Sequence, residues 1–246
     1  MKNILRAVQT HFPFLHDVRF RFKFSTMSIT KTVHEKDFKA MQLLDLQDGQ
    51  LFLDIGSNRG EAILSLQLMN NKKMHIIGFE PNPFVYEKLS TQIRSMDNVE
   101  IHNIGLASAE READLHVPFY RKWMFDGLAS FDYDAAKGWL KNRLWRFDEN
   151  KLRIESVKCV IKKLDGFKLK PYFIKIDVQG YELEVLKGGL ETIKKYKPII
   201  LIESINTDHK AFLTPFQYHF YHFNNKELVE GDGMLNTFCI AKELPH

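Results

Sequence analysis

The sequence predicts an α/β fold built around a mostly parallel sheet. The first indication is a strand, a glycine-rich turn and an apolar helical pattern in direct succession over residues 51–69. The second is that short apolar runs alternate with amphipathic segments over much of the remaining chain, which is typical of βα repeats. The third is the tail, where residues 217–223 and 236–241 alternate with the period of two expected for an antiparallel pair. This last pair would complete the edge of the sheet.

Each element is predicted by its own pattern of apolar residues. Runs rich in β-branched and aromatic residues, bounded by Gly, Pro, Asn or Asp, indicate strands, and apolar positions three or four residues apart indicate helices. Before the tail, the predicted strands are residues 51–55, 74–79, 99–106, 113–117, 156–164, 172–177 and 197–203, and the predicted helices are 34–46, 61–69, 83–96 and 183–196.

The composition is that of one globular domain. The 246 residues are 44% hydrophobic and 27% charged, and the formal net charge of +4 permits an acidic partner without requiring one. Cys159 and Cys239 have no metal-ligand neighbour in the sequence, so we expect reduced thiols and no metal site. No apolar run has the length of a membrane span, and the N-terminus lacks a signal-peptide core. We therefore expect a cytoplasmic protein.

Residues 1–32 are interpreted as a basic and aromatic extension. Arg and Lys alternate with Phe over residues 19–24, and this period of two predicts a short strand or edge hairpin. A solvated basic face is the favoured interpretation, and peripheral contact with a membrane surface or a nucleic acid is the alternative.

The turn after the first strand indicates a nucleotide-like cofactor. Glycine lets a ligand lie against bare backbone N–H groups at the start of a helix. A dinucleotide pattern with its first glycine at Gly56 would need glycines where Asn58 and Glu61 stand, so NAD is disfavoured. Asp54, just before the turn, suits a cofactor with a cationic group nearby, such as the amino-acid end of S-adenosyl-L-methionine.

Four acidic residues end strands that alternate with helices: Asp54, Glu80, Asp177 and Glu203. In a parallel sheet these ends lie on one edge, where ligands bind. Glu80 lies about twenty residues beyond the glycine turn, where a carboxylate accepts hydrogen bonds from both hydroxyls of a ribose. The sequence therefore predicts the functional site at this edge.

Residues 118–153 form an aromatic and basic insert between two predicted strands. Flat aromatic faces beside hydrogen-bonding side chains suit sugar rings or nucleic-acid bases. An inserted helical subdomain with its own aromatic core is an equally weighted interpretation. The insert holds the three tryptophans of the chain, Trp123, Trp139 and Trp145.

A series of motifs in a fixed order resembles the FkbM family of S-adenosyl-L-methionine-dependent methyltransferases. The resemblance runs from about residue 33 to residue 242, and we assign residues 33–246 to a methyltransferase domain. It implies a class I methyltransferase (Rossmann-like) fold with a seven-stranded, mostly parallel sheet, helices on both faces and an antiparallel final hairpin. The motifs are Phe52–Gly60, Gly78–Pro83, Ile104–Ser108, Lys163–Asp165, Ile174–Glu182, Val185–Gly189 and Pro198–Glu203.

The resemblance also implies a cofactor, a set of binding residues and a reaction. The cofactor is S-adenosyl-L-methionine, and the reaction is O-methylation of a hydroxyl, with sugars and polyketides as the suggested substrates. Asp54 is placed near the amino-acid end of the cofactor, Glu80 at the ribose, and Asn82 and Leu106 beside the adenine. The full set of expected cofactor-binding residues is Asp54, Gly56, Ser57, Asn58, Gly60, Glu80, Pro81, Asn82, Leu106 and Asp177.

One departure from the family pattern concerns the general base. The family has a glutamate and then usually an alanine around a glycine where this chain has Gln179 and Tyr181. The remaining candidates for the base are Asp177, which we favour, then Glu203 and Glu182.

We therefore expect an O-methyltransferase that acts on a saccharide hydroxyl of a surface glycan or its precursor. One alternative is a nucleic-acid ribose 2′-O-methyltransferase, which is less favoured because the chain lacks a long basic stripe. A second is a catalytically silent cofactor-binding module within a glycan-assembly complex.

Overall fold

The computed structural model describes residues 10–12, 14–69, 72–141 and 143–241. The helices are α1 (Phe14–Thr30), α2 (Glu61–Leu68), α3 (Pro83–Ile93), α4 (Tyr133–Gly138), α5 (Glu182–Gly188), α6 (Leu190–Tyr196) and α7 (Thr207–Leu213). The strands are β1 (Leu51–Ile55), β2 (His75–Phe79), β3 (Val99–His102), β4 (Gly105–Leu106), β5 (Arg111–Tyr120), β6 (Trp123–Met124), β7 (Leu152–Lys162), β8 (Pro171–Ile176), β9 (Ile199–Glu203), β10 (His219–Phe223), β11 (Leu228–Glu230) and β12 (Asn236–Ile240).

The main sheet of the described residues has eight strands in the order β11-β10-β12-β9-β8-β1-β2-β3. The five strands from β9 to β3 pair in parallel. The last three strands along the chain pair antiparallel, and β12 joins them to β9. The predicted mostly parallel sheet with a reversed final hairpin is confirmed, and β11 adds an outer strand to that hairpin.

Both faces of this sheet are covered by helices, as predicted. Consecutive strand residues point to opposite faces. Phe52 and Phe173 pack with α2, α3 and the 3₁₀ helix Lys36–Leu43 on one face. Leu53 and Ile174 pack with α5, α6 and α7 on the other. The buried sheet positions thus form two cores.

A second, four-stranded sheet has the order β4-β7-β5-β6. The strands predicted at residues 113–117 and 156–164 correspond to β5 and β7, which are longer than predicted and pair antiparallel. The strand predicted over 99–106 is divided, because its first half belongs to the main sheet and its end pairs with β7.

Much of the insert packs around its own aromatic core. Tyr120, Leu128, Leu140 and Leu144 are buried together, with the partly buried Trp139 and Phe147, among others, packed against them. Trp123 is also buried. These contacts favour the interpretation of the insert as a packed subdomain.

The strand predicted near residues 19–24 is wrong, because this segment lies within α1. Phe20, Phe24 and Met27 are spaced four and three residues apart, and they pack on Leu64 and Leu68 of α2. This tertiary contact selects the helical period over the period of two. Within the described residues, no helix combines the length and apolar character needed to cross a bilayer.

Candidate active site

The carboxyl edge of the main sheet brings acidic residues of neighbouring strands together. Asp54 lies in β1, Glu80 follows β2, Asp177 follows β8 and Glu203 ends β9. Gln179 Nε2 donates to Asp177 Oδ1 at 3.0 Å and to Glu203 Oε2 at 3.4 Å. The structure therefore places the four residues at adjacent strand ends.

A cleft that is partly open to solvent lies at this edge. Six of the expected cofactor-binding residues line the cleft: Gly56, Asn58, Glu80, Pro81, Leu106 and Asp177.

The glycine turn is fixed by close backbone contacts. Gly56 has φ +85°, and a Cβ there would lie 1.9 Å from the carbonyl oxygen of Asp177, so only glycine fits. Ser57 is buried and its Oγ donates to the Asp54 carbonyl at 2.8 Å. Gly60, with φ +88°, is the N-cap residue of α2. Ser57 and Gly60 shape the turn, whereas Gly56 and Asn58 face the cleft.

Glu80 is buried beside the glycine turn with both oxygens engaged. Its Oε2 accepts the Asn58 backbone N–H and its Oε1 accepts the Asn82 N–H, each at 2.8 Å. Burial raises the pKa of Glu80 to about 7, against those hydrogen bonds. Each carboxylate oxygen keeps a lone pair for a further donor. Glu80 can therefore accept from a diol in the cleft while holding the turn in place.

Two residues expected near the adenine have different positions. Leu106 lines the cleft with Pro81. Asn82 is buried, and its Oδ1 accepts the Phe84 backbone N–H at 3.1 Å as the N-cap of α3. Asn82 Nδ2 has no hydrogen-bond partner among the described residues.

Asp54 is a buried carboxylate whose two oxygens have no hydrogen-bond partner among the described residues. Burial raises the pKa of Asp54 from 3.8 to about 6, against the attraction of Lys175, which is its register neighbour in β8. Asp54 lies behind the turn and not in the cleft, so it would act on a ligand cation by electrostatic attraction. This arrangement fits the amino group of S-adenosyl-L-methionine.

We expect Asp54→Asn to gain stability relative to the wild type as pH rises. The folded-state pKa of Asp54 is raised from 3.8 to about 6, so the stability that this carboxyl contributes below pH 4 is lost as pH rises through 6. Asp54→Asn does not undergo this loss. Its unfolding free energy relative to that of the wild type should therefore increase by up to about 3 kcal/mol between pH 4 and pH 8. Urea unfolding without cofactor at both pH values measures this. Asp97→Asn, at an exposed position, is the control, and a constant difference for Asp54→Asn would contradict the expectation.

Lys175, Asp177 and Glu203 form a charged group beside the cleft. Lys175 is 4% exposed, and its Nζ lies 3.0 Å from Asp177 Oδ2. Burial opposes ionisation of Asp177, but the Lys175 charge and hydrogen bonds from Glu203, Lys175 and Gln179 hold the pKa of Asp177 well below its usual range. The hydrogen bond to Asp177, burial and the Asp177 charge raise the pKa of Glu203 to about 8. At neutral pH the pair therefore shares one proton, carried mainly by Glu203.

Glu182, the third candidate base, is engaged by the loop that follows β8. Its Oε1 accepts the Val178 N–H at 3.2 Å and the Gly180 N–H at 3.0 Å. The side chain is buried and does not line the cleft. Its contacts position the loop that carries Gln179.

Several residues of the site were not predicted from the sequence. Lys175 is a single basic residue within a buried strand. This was the one feature of the sequence that could have indicated it as a site residue. Asp126 and Phe131 come from the insert and line the cleft, together with Tyr181 from the loop after β8. Among the described residues, no group of three or more His, Cys, Asp or Glu side chains could hold a metal ion.

The fold and the site together define a class of protein. A parallel sheet with a reversed final hairpin, a glycine turn after its first strand and a buried carboxylate after its second are the features of a class I methyltransferase. The family model of the methyltransferase FkbM domain matches residues 54–228, and the chain belongs to this family. The chain therefore carries a methyltransferase domain, and its predicted cofactor, S-adenosyl-L-methionine, is that of this family.

Two relatives illustrate the similarity. The chain is 26% identical over 179 residues to the hexuronic acid methyltransferase AglP of Haloferax volcanii, covering 72% of this chain and 65% of that protein. Methyltransferase FkbM from Methylobacillus flagellatus superposes with a TM-score of 0.52 at 16% identity, covering 83% of this chain and 48% of that one. The chain thus spans less than two thirds of the length of either protein.

Proposed function

We propose that the protein methylates a hydroxyl oxygen of a saccharide. The observation that carries this proposal is the pair of carboxyl groups of Asp177 and Glu203 at the cleft, bridged by Gln179 Nε2 at 3.0 Å and 3.4 Å. An alcohol must lose its proton as its oxygen forms the new bond to carbon, and a carboxylate within reach can accept that proton. The saccharide class is supported by the hexuronic acid methyltransferase to which the chain is similar.

The residues around the cleft have separate roles in this proposal. Glu80 binds the ribose hydroxyls, Asp54 attracts the amino group, and Pro81 and Leu106 contact the adenine. S-adenosyl-L-methionine supplies, when bound, an electrophilic methyl group on a positively charged sulfur. Asp177, which lines the cleft, accepts the hydroxyl proton, and Glu203 sets how readily the pair accepts it.

The acidic surroundings of the pair favour a neutral acceptor group. Asn236 Nδ2 donates to Glu35 Oε2 at 2.8 Å and to Asp37 Oδ2 at 2.9 Å. Asn236 is also the register neighbour of Glu203, and the charge of Glu35 contributes to the raised pKa of Glu203. The negative charges of Asp177 and Glu35 oppose an acceptor carboxylate beside the pair, although Lys175 offsets part of this repulsion, whereas an acceptor hydroxyl can donate to Asp177.

The test is a comparison of neutral glycosides with the matching uronic acids, using S-adenosyl-L-methionine labelled in its methyl group. We expect transfer to the neutral sugar to be at least about tenfold faster, since like-charge contacts cost more than the 1.4 kcal/mol that corresponds to tenfold. The label should resist mild alkali, because a methyl ether is stable where a methyl ester is hydrolysed.

Two results would overturn the proposal. One is alkali-labile label on the uronic acid with no transfer to any neutral sugar, which would indicate esterification. The other is incorporation into RNA that exceeds transfer to every saccharide tested, which would indicate a nucleic-acid methyltransferase. Glu80→Gln is the matched control for cofactor dependence. We expect this variant to lose binding of S-adenosylhomocysteine, as measured by calorimetry.

A further inference from the structure

Helix α1 presents an apolar stripe to solvent. With 3.6 residues per turn, Phe14, Leu15, Val18, Phe22 and Ile29 fall within about 100° of the helix circumference. Their exposed fractions run from 41% for Leu15 to 77% for Ile29. We refer to these five residues as the outer stripe. Exposed apolar residues grouped on one face of a helix mark an interaction surface.

The opposite face of α1 fixes the helix to the domain. Phe24 and Met27 are buried against Leu64 of α2. Asp17 Oδ1 accepts from Arg59 Nη1 at 2.6 Å and from Lys88 Nζ at 3.0 Å. Because these inner contacts hold the helix in place, the outer stripe is available for a partner.

The charged residues of α1 that border the outer stripe are both basic, although Glu87 of α3 lies near Arg21 and Phe22. Arg19 and Arg21 are both exposed, and the helical period places one on each side of the stripe. Asp17, the one acidic residue of α1, lies on the inner face in its ion pairs. An apolar stripe bordered by arginines is the pattern of a helix that lies in a membrane interface.

We infer that α1 docks the protein on an anionic lipid surface, with the outer stripe inserted among the acyl chains and Arg19 and Arg21 at the headgroups. The charge pattern of α1 favours lipid, because a layer of anionic headgroups over apolar chains complements an apolar stripe bordered by Arg19 and Arg21. This inference goes beyond the proposed methyl transfer and does not depend on it. Arg59, which follows Asn58 in the glycine turn, binds Asp17 of α1, so docking would also hold the cleft at a fixed orientation to the surface.

The experiment is flotation of the 246-residue protein with vesicles of phosphatidylcholine alone or mixed with phosphatidylglycerol. We expect binding to the anionic vesicles that weakens with salt, as the arginine contribution requires. The double variant Phe14→Ser/Phe22→Ser should reduce the partition coefficient by at least about tenfold, since each substitution removes apolar area that would be buried in the membrane interface. Arg19→Gln/Arg21→Gln should abolish the preference for phosphatidylglycerol. Met234→Ser, at an exposed apolar position outside α1, should bind as the wild type does.

Circular dichroism melting separates lost binding from lost folding, and a second double variant, Val18→Ser/Ile29→Ser, repeats the test if the first does not fold. The inference is wrong if the wild type does not float with anionic vesicles, or if both folded stripe variants float as well as the wild type. It is also wrong if the wild type forms a dimer that the stripe variants lose while none of the proteins binds vesicles, since the stripe would then contact a second copy of the chain.

Discussion

Replacing Asp177 by asparagine is expected to lower turnover by roughly 10²–10⁴-fold, the contribution usual for a positioned proton acceptor. Asparagine cannot accept the hydroxyl proton, and it also removes the negative charge that helps to raise the pKa of Glu203 to about 8. The wild-type rate should rise with pH and level off above about 8, where the pair has lost its shared proton. In Asp177→Asn this dependence near pH 8 should disappear. The measurement is the pH–rate profile of both proteins on the acceptor found in the glycoside screen.

Two variants make this result specific to the pair. Glu203→Gln can still donate a hydrogen bond to Asp177, so its loss of rate should be smaller, although its pH dependence near 8 should also vanish. Glu182→Gln keeps an oxygen for the Val178 and Gly180 N–H groups and should change turnover little. S-adenosylhomocysteine binding by calorimetry checks that each variant retains the cofactor site. Near wild-type turnover of Asp177→Asn, or an equal loss in Glu182→Gln, would refute the assignment of the base.

The main sheet could be predicted because its central strands are short and apolar on both faces. Adjacent residues such as Phe52 and Leu53 belong to opposite cores, which is the pattern of strands covered by helices on both faces. Alternation with helices then fixes the parallel direction. This in turn places the acids at the strand ends on one edge. For that reason the acidic residues of the candidate site could be predicted from the sequence.

The N-terminal segment could not be predicted in the same way, because its pattern fits two structures. Alternating Arg, Lys and Phe over residues 19–24 satisfy a strand, while Phe20, Phe24 and Met27 satisfy a helix. The choice depends on the apolar surface of α2 and on the Asp17 contact with Arg59. Both are long-range contacts that a local pattern does not contain.

The contribution of the insert to the cleft also could not be predicted from the sequence. Asp126 and Phe131 line the cleft because β5 and β7 pair along their length and return the insert toward the main sheet. Nothing in the local sequence of the insert encodes that return. Lys175 could not be predicted as a site residue, because the role of a charged residue within a buried strand depends on its partners. These partners, Asp54 and Asp177, lie on neighbouring elements.

Arg59 is the residue whose loss should most weaken the contact between the N-terminal helix, the insert and the glycine turn. It is 5% exposed. Its Nη1 lies 2.6 Å from Asp17 Oδ1 and its Nε lies 2.6 Å from Asp126 Oδ2. Arg59→Met would leave the Asp126 carboxylate without its cation, whereas Asp17 keeps Lys88. Because breaking a buried ion pair on one side costs about 3–5 kcal/mol and Asp17 is partly exposed, we expect a loss of about 3 kcal/mol in unfolding free energy.

Urea unfolding of a double-mutant cycle tests this expectation. Arg59→Met/Asp126→Asn should be more stable than Arg59→Met alone, since the second change removes the carboxylate left without a cation. Arg94→Met, at an exposed position, is the control and should stay within about 0.5 kcal/mol of the wild type. Hydrogen exchange over α1 should accelerate in Arg59→Met, because the helix keeps its apolar contacts but loses its ion pair to the turn. Unchanged stability together with unchanged exchange would mean that the inner apolar face alone holds α1.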